Sequence, residues 1–140
     1  MQNQPLRGPE APRWTIGVID GPNLSNLGAR DPNKYGPVSS IDELQAFVRD
    51  FADRVGVDVV QIVSNFEGEI LEFIHANTAT VDGWIINPAG LTLYGESTRT
   101  ALTDSRKPFV ETHFANARRS FPRDHDRNTL GHKFTEGALG

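Results

Sequence analysis

Ile19-Asp20-Gly21-Pro22-Asn23-Leu24-Ser25-Asn26-Leu27-Gly28, continued by Arg30, Asp31, Pro32, Tyr35 and Gly36, is the stretch on which the fold turns. It begins where the apolar run Trp14-Thr15-Ile16-Gly17-Val18-Ile19 stops, so it is expected to be the loop leaving the carboxyl end of a first buried strand. In an open α/β sheet, ligands bind at that edge. Gly21, Pro22, Gly28, Pro32, Gly36 and Pro37 shape a long loop around a carboxamide (Asn23), a guanidinium (Arg30) and a phenol (Tyr35). Long shaped loops on a rigid scaffold commonly carry function.

Outward from this loop the chain alternates helix and strand patterns. Ser40-Ile41-Asp42-Glu43 reads as a capping box, in which the Ser40 hydroxyl takes an amide at the third helical position and Glu43 reaches back. Ile41, Leu44, Phe47, Val48, Phe51 and Val55 recur at helical spacing, and Gly56 is placed to end the helix in a left-handed conformation. Val57-Asp58-Val59-Val60-Gln61-Ile62-Val63 is a β-branched run and predicts a second strand. After the loop Ser64 to Glu69, residues Ile70, Leu71, Phe73 and Ile74 predict a helix that ends around Ala76 to Thr80. Gly83-Trp84-Ile85-Ile86-Asn87 predicts a third strand, Glu96 to Thr103 a short helix, and Pro108 to His113 a fourth strand. The order is that of a flavodoxin-like, doubly wound parallel α/β domain.

Right-handed crossovers make such strands parallel and bring their carboxyl ends to one edge. The polar groups expected to converge there are Asn23, Arg30 and Tyr35, then Ser64 to Glu69, then Asn87, then His113 with Asn116. A phenol, an imidazole, an arginine and carboxamides, without clustered carboxylates or a second histidine to hold a metal, predict acid/base chemistry with no metal and no cofactor.

Bulk composition narrows the classes. The chain has 140 residues, of which 37% are hydrophobic and 23% charged, as in ordinary globular domains. The expected organisation is a disordered extension over residues 1–13 followed by one domain over 14–140. With no cysteine there is no disulfide framework or thiolate chemistry, and secretion gains no support, so a cytoplasmic location is expected. The proline-rich first 13 residues lack the apolar core of a signal peptide, and no run is long enough for a membrane span. A net charge of −4 argues against nucleic acid as a partner.

The first loop resembles the signature of the type II 3-dehydroquinate dehydratases, N-G-P-N-L-N-x-L-G-x-R-x-P-x-x-Y-G. Gly21, Pro22, Asn23, Leu24, Leu27, Gly28, Arg30, Pro32, Tyr35 and Gly36 match it, while Asp20 replaces its first Asn and Ser25 its third. Ser64-Asn65-Phe66-Glu67-Gly68-Glu69 with Ile74-His75 resembles S-N-H-E-G-E-L…I-H, with Phe66 in place of His. Ile86-Asn87-Pro88-Ala89-Gly90-Leu91-Thr92 is similar to I-N-P-G-A-x-T-H, and Glu111 to Asn116 to E-V-H-x-S-N. The resemblance runs from about Ile16 to Asn116. It implies that Tyr35 is the base removing a ring proton α to a ketone, with Arg30 favouring the phenolate. It further implies that Asn23 positions a water that stabilises the enolate and that His113 protonates the departing hydroxyl. Asn87 and the amides of Phe114 and Ala115 would hold the carboxylate of a cyclic keto acid. The family's assembly implies a homo-oligomer, a dodecamer built of trimers.

Each role has a bland rival. A free tyrosine titrates near ~10, so Tyr35 works as a base only beside a cation such as Arg30; otherwise it is surface packing. His113 is otherwise a satisfied structural histidine, and Asn87 a turn cap. Glu67 and Glu69 are read as negative charge at a helix N-terminus rather than as catalytic groups, and His75 as packing or facing a neighbouring subunit. Of Arg118, Arg119, Arg123 and Arg127, one arginine, with Arg123 the candidate, either binds substrate or belongs with the others to a solvated face.

The departures from the pattern bear on the substrate. Leu93 stands where the family has a histidine that contacts ring hydroxyls, and Thr100 near where an aspartate reaches the neighbouring subunit's site. Tyr94 is placed to restore part of the lost hydroxyl contact. Beyond Asn116 the pattern fades, and the last helix is expected to be short or frayed. The alternatives are the same proton chemistry on a less hydroxylated ring, or a catalytically silent homologue serving as a binding or assembly subunit. A phosphate or nucleotide binder would need a glycine-rich turn opening straight into a helix, and the span from Asp20 to Ser40 argues against it.

Overall fold

The structure, a computed structural model, describes residue 10, residues 12–36 and residues 38–114. Four strands, β1 (Thr15–Asp20), β2 (Asp58–Val63), β3 (Gly83–Asn87) and β4 (Phe109–Glu111), form one parallel sheet in the order β2-β1-β3-β4. The connections are helical: α1 (Pro32–Tyr35) and α2 (Ile41–Val55) lie between β1 and β2, and α3 (Glu67–Asn77) between β2 and β3. Helices α4 (Leu91–Tyr94) and α5 (Glu96–Asp104) lie between β3 and β4. This is the flavodoxin-like α/β arrangement the periodicity predicted.

Period-two alternation divides the strands between two faces. In register, Gly17, Val60 and Trp84 share a row, as do Ile19, Ile62 and Ile86. That face closes on α3 and α5 through the buried cluster Ile19, Ile70, Ile74, Val81, Trp84, Ile86, Ala101 and Leu102. Trp84 sets its edge against Phe73 at 6.2 Å between ring centroids and donates from its indole to Ser105 Oγ at 3.1 Å. A second cluster, Leu24, Leu27 and Leu44 with Tyr35, Val38, Ile41, Val48, Val63 and Ala89 against it, joins the first loop to α2.

Local signals account for most boundaries. Ser40 Oγ accepts the Glu43 amide at 3.1 Å and so caps α2, but the carboxylate of Glu43 accepts from the amide of Ser39 at 2.7 Å, one residue before the expected partner. Gly56 ends α2 at φ 73°, ψ 38°, as expected. The span between Asp20 and Ser40 is more ordered than a loop. A short 3-10 helix covers Leu24–Ala29, and α1 follows, capped by Asp31, whose side chain accepts the Asn33 amide. No sequence period marks turns this short. The fourth strand is likewise shorter than expected, and His113 lies two residues beyond it. Of the expected N-terminal extension over residues 1–13, residues 1–9 and 11 lie outside the described residues, as do residue 37 and the segment from Ala115 onward with its expected last helix. Among the described residues no helix is long and apolar enough to cross a membrane.

Candidate active site

Parallel pairing puts Asp20 opposite Val63 on one side and Asn87 on the other, so the carboxyl ends of the three longer strands finish level. The chain then turns sharply. Gly21 donates its amide to the Asn87 carbonyl at 2.8 Å, and a Cβ on Gly21 would stand 2.6 Å from the Pro88 carbonyl oxygen. Only glycine lets the first loop lie this close on the loop after β3.

Past that contact the loop is held by groups of its own and of the β2 loop. Asn23 adopts a left-handed conformation at φ 71°, which asparagine tolerates better than most residues. Its amide donates to Asn65 Oδ1 at 2.8 Å, and Asn65 Nδ2 donates to Ser25 Oγ at 3.1 Å. Asn65 thus fixes the backbone and leaves the Asn23 carboxamide in an exposed residue at the edge. Seven residues on, Arg30 Nη2 donates to the Tyr35 phenol oxygen at 2.6 Å, with the guanidinium carbon 3.7 Å from the ring centroid. Lys34 Nζ is 5.2 Å from the same centroid. Two cations thus flank one phenol, one of them bonded to its oxygen. The sequence paired Arg30 with Tyr35, and the structure places them in contact.

At the other side of the edge, the His113 imidazole is bonded through Nε2 to the carboxylate of Glu111. The Glu111 side chain is only 5% exposed, and its Oε2 is a buried oxygen without a hydrogen-bond partner among the described residues. Thr92 Oγ1 lies 3.5 Å from Oε1. The buried carboxylate thus fixes the orientation of the imidazole beside it. Glu111, at the end of β4 and two residues before the histidine, joins the site through this contact, and no spacing in the sequence marks it.

Asn87 is buried at the end of β3, and its Oδ1 accepts the Ala89 amide at 3.3 Å, which leaves its amide nitrogen free of protein partners among the described residues. Ala89 itself sits at φ 50°. Phe114 is 38% exposed at the end of the described chain. Ala115, Asn116, Arg118, Arg119, Arg123 and Arg127 lie outside the described residues. Leu93 is half-buried on α4, while Tyr94 beside it is 81% exposed.

The remaining candidates settle into structural positions. Glu67 Oε1 accepts from the Thr98 amide at 3.0 Å and its hydroxyl at 2.9 Å, so it staples α3 to α5. Glu69 is bonded to Ser64 Oγ. His75 and Thr100 line a cavity of about 270 Å³ between α3 and α5, with Leu71, Glu96 and Asp104. Among the described residues no group of three His, Cys, Asp or Glu side chains is placed to hold a metal.

Asp20, a departure from the family motif, is 5% exposed at the centre of the edge. Burial alone pushes its carboxyl up from the ordinary 3.8 to about 6.

Fold and site together define an α/β protein whose sheet edge carries an arginine-bound phenol and a carboxylate-bound imidazole. The chain belongs to the class II dehydroquinase family, whose model matches residues 14–131. It is 43% identical over 108 residues to the 3-dehydroquinate dehydratase of Roseiflexus castenholzii, an alignment covering 77% of this chain and 68% of that one. It is 37% identical over 125 residues to the 3-dehydroquinate dehydratase of Campylobacter hominis, covering 89% of this chain and 78% of that one. Among solved structures it is similar to the type II dehydroquinase of Butyrivibrio crossotus, with a TM-score of 0.76, 27% identity, and coverage of 87% and 83% of the two chains.

Proposed function

We propose that this chain is a hydro-lyase of the type II 3-dehydroquinate dehydratase kind, which eliminates water from a cyclic β-hydroxy ketone that carries a carboxylate. The observation that carries the reading is the Arg30–Tyr35 contact, a guanidinium bonded at 2.6 Å to the one phenol on the first loop. Tyr35, as phenolate, takes the proton α to the ketone; the electron pair of that C–H bond forms an enolate. Asn23 positions the water that stabilises the enolate oxygen. As the enolate collapses, the ring C–O bond breaks, and His113 gives its proton to the leaving hydroxyl, which departs as water. Glu111 supports the charged imidazole before that transfer. Asn87, with its free amide nitrogen, and the amides of Phe114 and Ala115 hold the substrate carboxylate. Arg123 is the candidate to close over the bound ring.

The division of labour has a direct test. His113→Ala should slow elimination by about 10²-fold or more, while exchange of the ring proton with solvent deuterium continues, because Tyr35 acts first. Loss of exchange together with elimination would overturn the two roles.

The reading extends to the whole of residues 14–140 as one catalytic domain and to a homododecamer. Phe47, Phe51 and Val110 are 64%, 47% and 60% exposed, apolar surface that copies of the chain would bury. Light scattering should return an oligomer at micromolar concentration; a stable monomer counts against it.

A further inference from the structure

Asp20 is a buried acid with no hydrogen bond or ion pair to its side chain among the described residues. Buried carboxyl groups are ordinarily paired, because an isolated charge in a low-dielectric site is costly. Its position gives the departure a consequence. In-register parallel strands point the side chains of one row to one face, so Asp20 projects between Val63 and Asn87. Val63 packs in the same cluster as Tyr35 and Ala89, so Asp20 shares with Val63 and Asn87 the row at the strand ends on the face that the first loop covers.

We propose that Asp20 is a protonation gate on the carboxylate subsite: as the neutral acid it donates its O–H toward a ring carboxylate held by Asn87, and as the carboxylate it repels that ligand. The inference rests on the reading of Asn87 as the carboxylate's partner. Titratable and charged groups on the elements around Asp20 include Arg30, Asp31, Lys34 and Tyr35 on the first loop, Asp42, Glu43, Arg49, Asp50, Asp53 and Arg54 on α2, Glu67, Glu69, Glu72 and His75 on α3, and the Glu111–His113 pair one strand beyond Asn87. Arg30 is committed to Tyr35, Glu43 to Ser39, Glu69 to Ser64 and Glu111 to His113, and none of them pairs with Asp20. With no cation beside it, burial acts on Asp20 unopposed, and its carboxyl is pushed up to about 6. Proton uptake from solvent then switches the local charge from −1 to 0, in the range where most carboxyl groups stay ionised.

The test is calorimetric binding of quinate, a ring carboxylate without the ketone, from about pH 5 to about pH 8, where the ligand's own charge does not change. Wild-type affinity should fall at least about tenfold across that range, and Asp20→Asn, which keeps the shape without the titrating group, should bind with nearly constant affinity. Asp20→Ser carries the same expectation should the amide variant fold poorly. A flat wild-type profile overturns the gate, and so does a slope that persists in both variants, which assigns the titration to His113 or Tyr35. If the wild type neither binds quinate nor turns over 3-dehydroquinate at any pH, the dehydratase reading fails and the gate fails with it.

Discussion

The two faces of the sheet are made from the same strands and do opposite work. Toward α3 and α5, Ile19, Trp84 and Ile86 are buried among aliphatic side chains with no polar group except hydrogen-bonded ones such as the Trp84 indole. Toward the first loop, the next residues along β1 and β3, Asp20 and Asn87, are just as inaccessible but are a carboxyl without a partner and a half-satisfied carboxamide. Apolar burial stabilises, whereas an unpaired polar group costs free energy. The difference teaches that the second face, apolar where it meets α2, gives up stability at the strand ends to hold polar groups there.

The strongest way to break the comparison is one substitution on each side. Tyr35→Phe should lower turnover of 3-dehydroquinate by about 10²–10⁴-fold and leave the unfolding midpoint nearly unchanged. Trp84→Ala should do the reverse, costing roughly 3–5 kcal/mol of stability in a denaturant titration while the folded fraction retains its turnover. Near-normal catalysis by Tyr35→Phe removes the phenol from the mechanism.

Asp20 sharpens the contrast through pH. Its folded value of about 6 lies above the ordinary 3.8, so the native state binds the proton more tightly than the unfolded chain does. The stability this gives is full below about pH 3.8 and is lost as pH rises through 6. The difference corresponds to roughly 3 kcal/mol at neutral pH. Asp20→Asn should therefore gain on the wild type in unfolding free energy between those pH values and hold the gain above them. Parallel pH profiles for the two proteins would show that the carboxyl is not buried as described.

The smallest expected effect tests specificity. Half-buried Leu93 offers no hydrogen bond to a ring hydroxyl, and an unsatisfied group costs about 1–3 kcal/mol. Leu93→His should raise kcat/KM on 3-dehydroquinate by about tenfold. No gain, with family-like efficiency in the wild type, would show that another group, such as the exposed Tyr94, makes that contact.

Much of this was legible in the residues themselves. The alternation of Ile19 and Ile86 with polar ends, the β-branched run from Val57, the Ser40 cap and Gly56 are local signals, and each produced the element it predicted within a residue or two. Arg30 and Tyr35 are five apart on one loop, so their meeting needed only the turn that Asp31 and Pro32 supply. The first-loop motif likewise exposed the family.

What the sequence could not determine depends on pairs far apart in the chain. Glu67 is bound to α5 because Thr98 meets it 31 residues later, and Asn65 secures the first loop from 42 residues beyond Asn23. Glu111 and Asp20 appear in the sequence as ordinary carboxylates among 18 acidic residues. Their solvation, and with it their chemistry, is set by what packs over them. Local periodicity fixes which way a side chain points, but only the tertiary structure decides whether water follows it there.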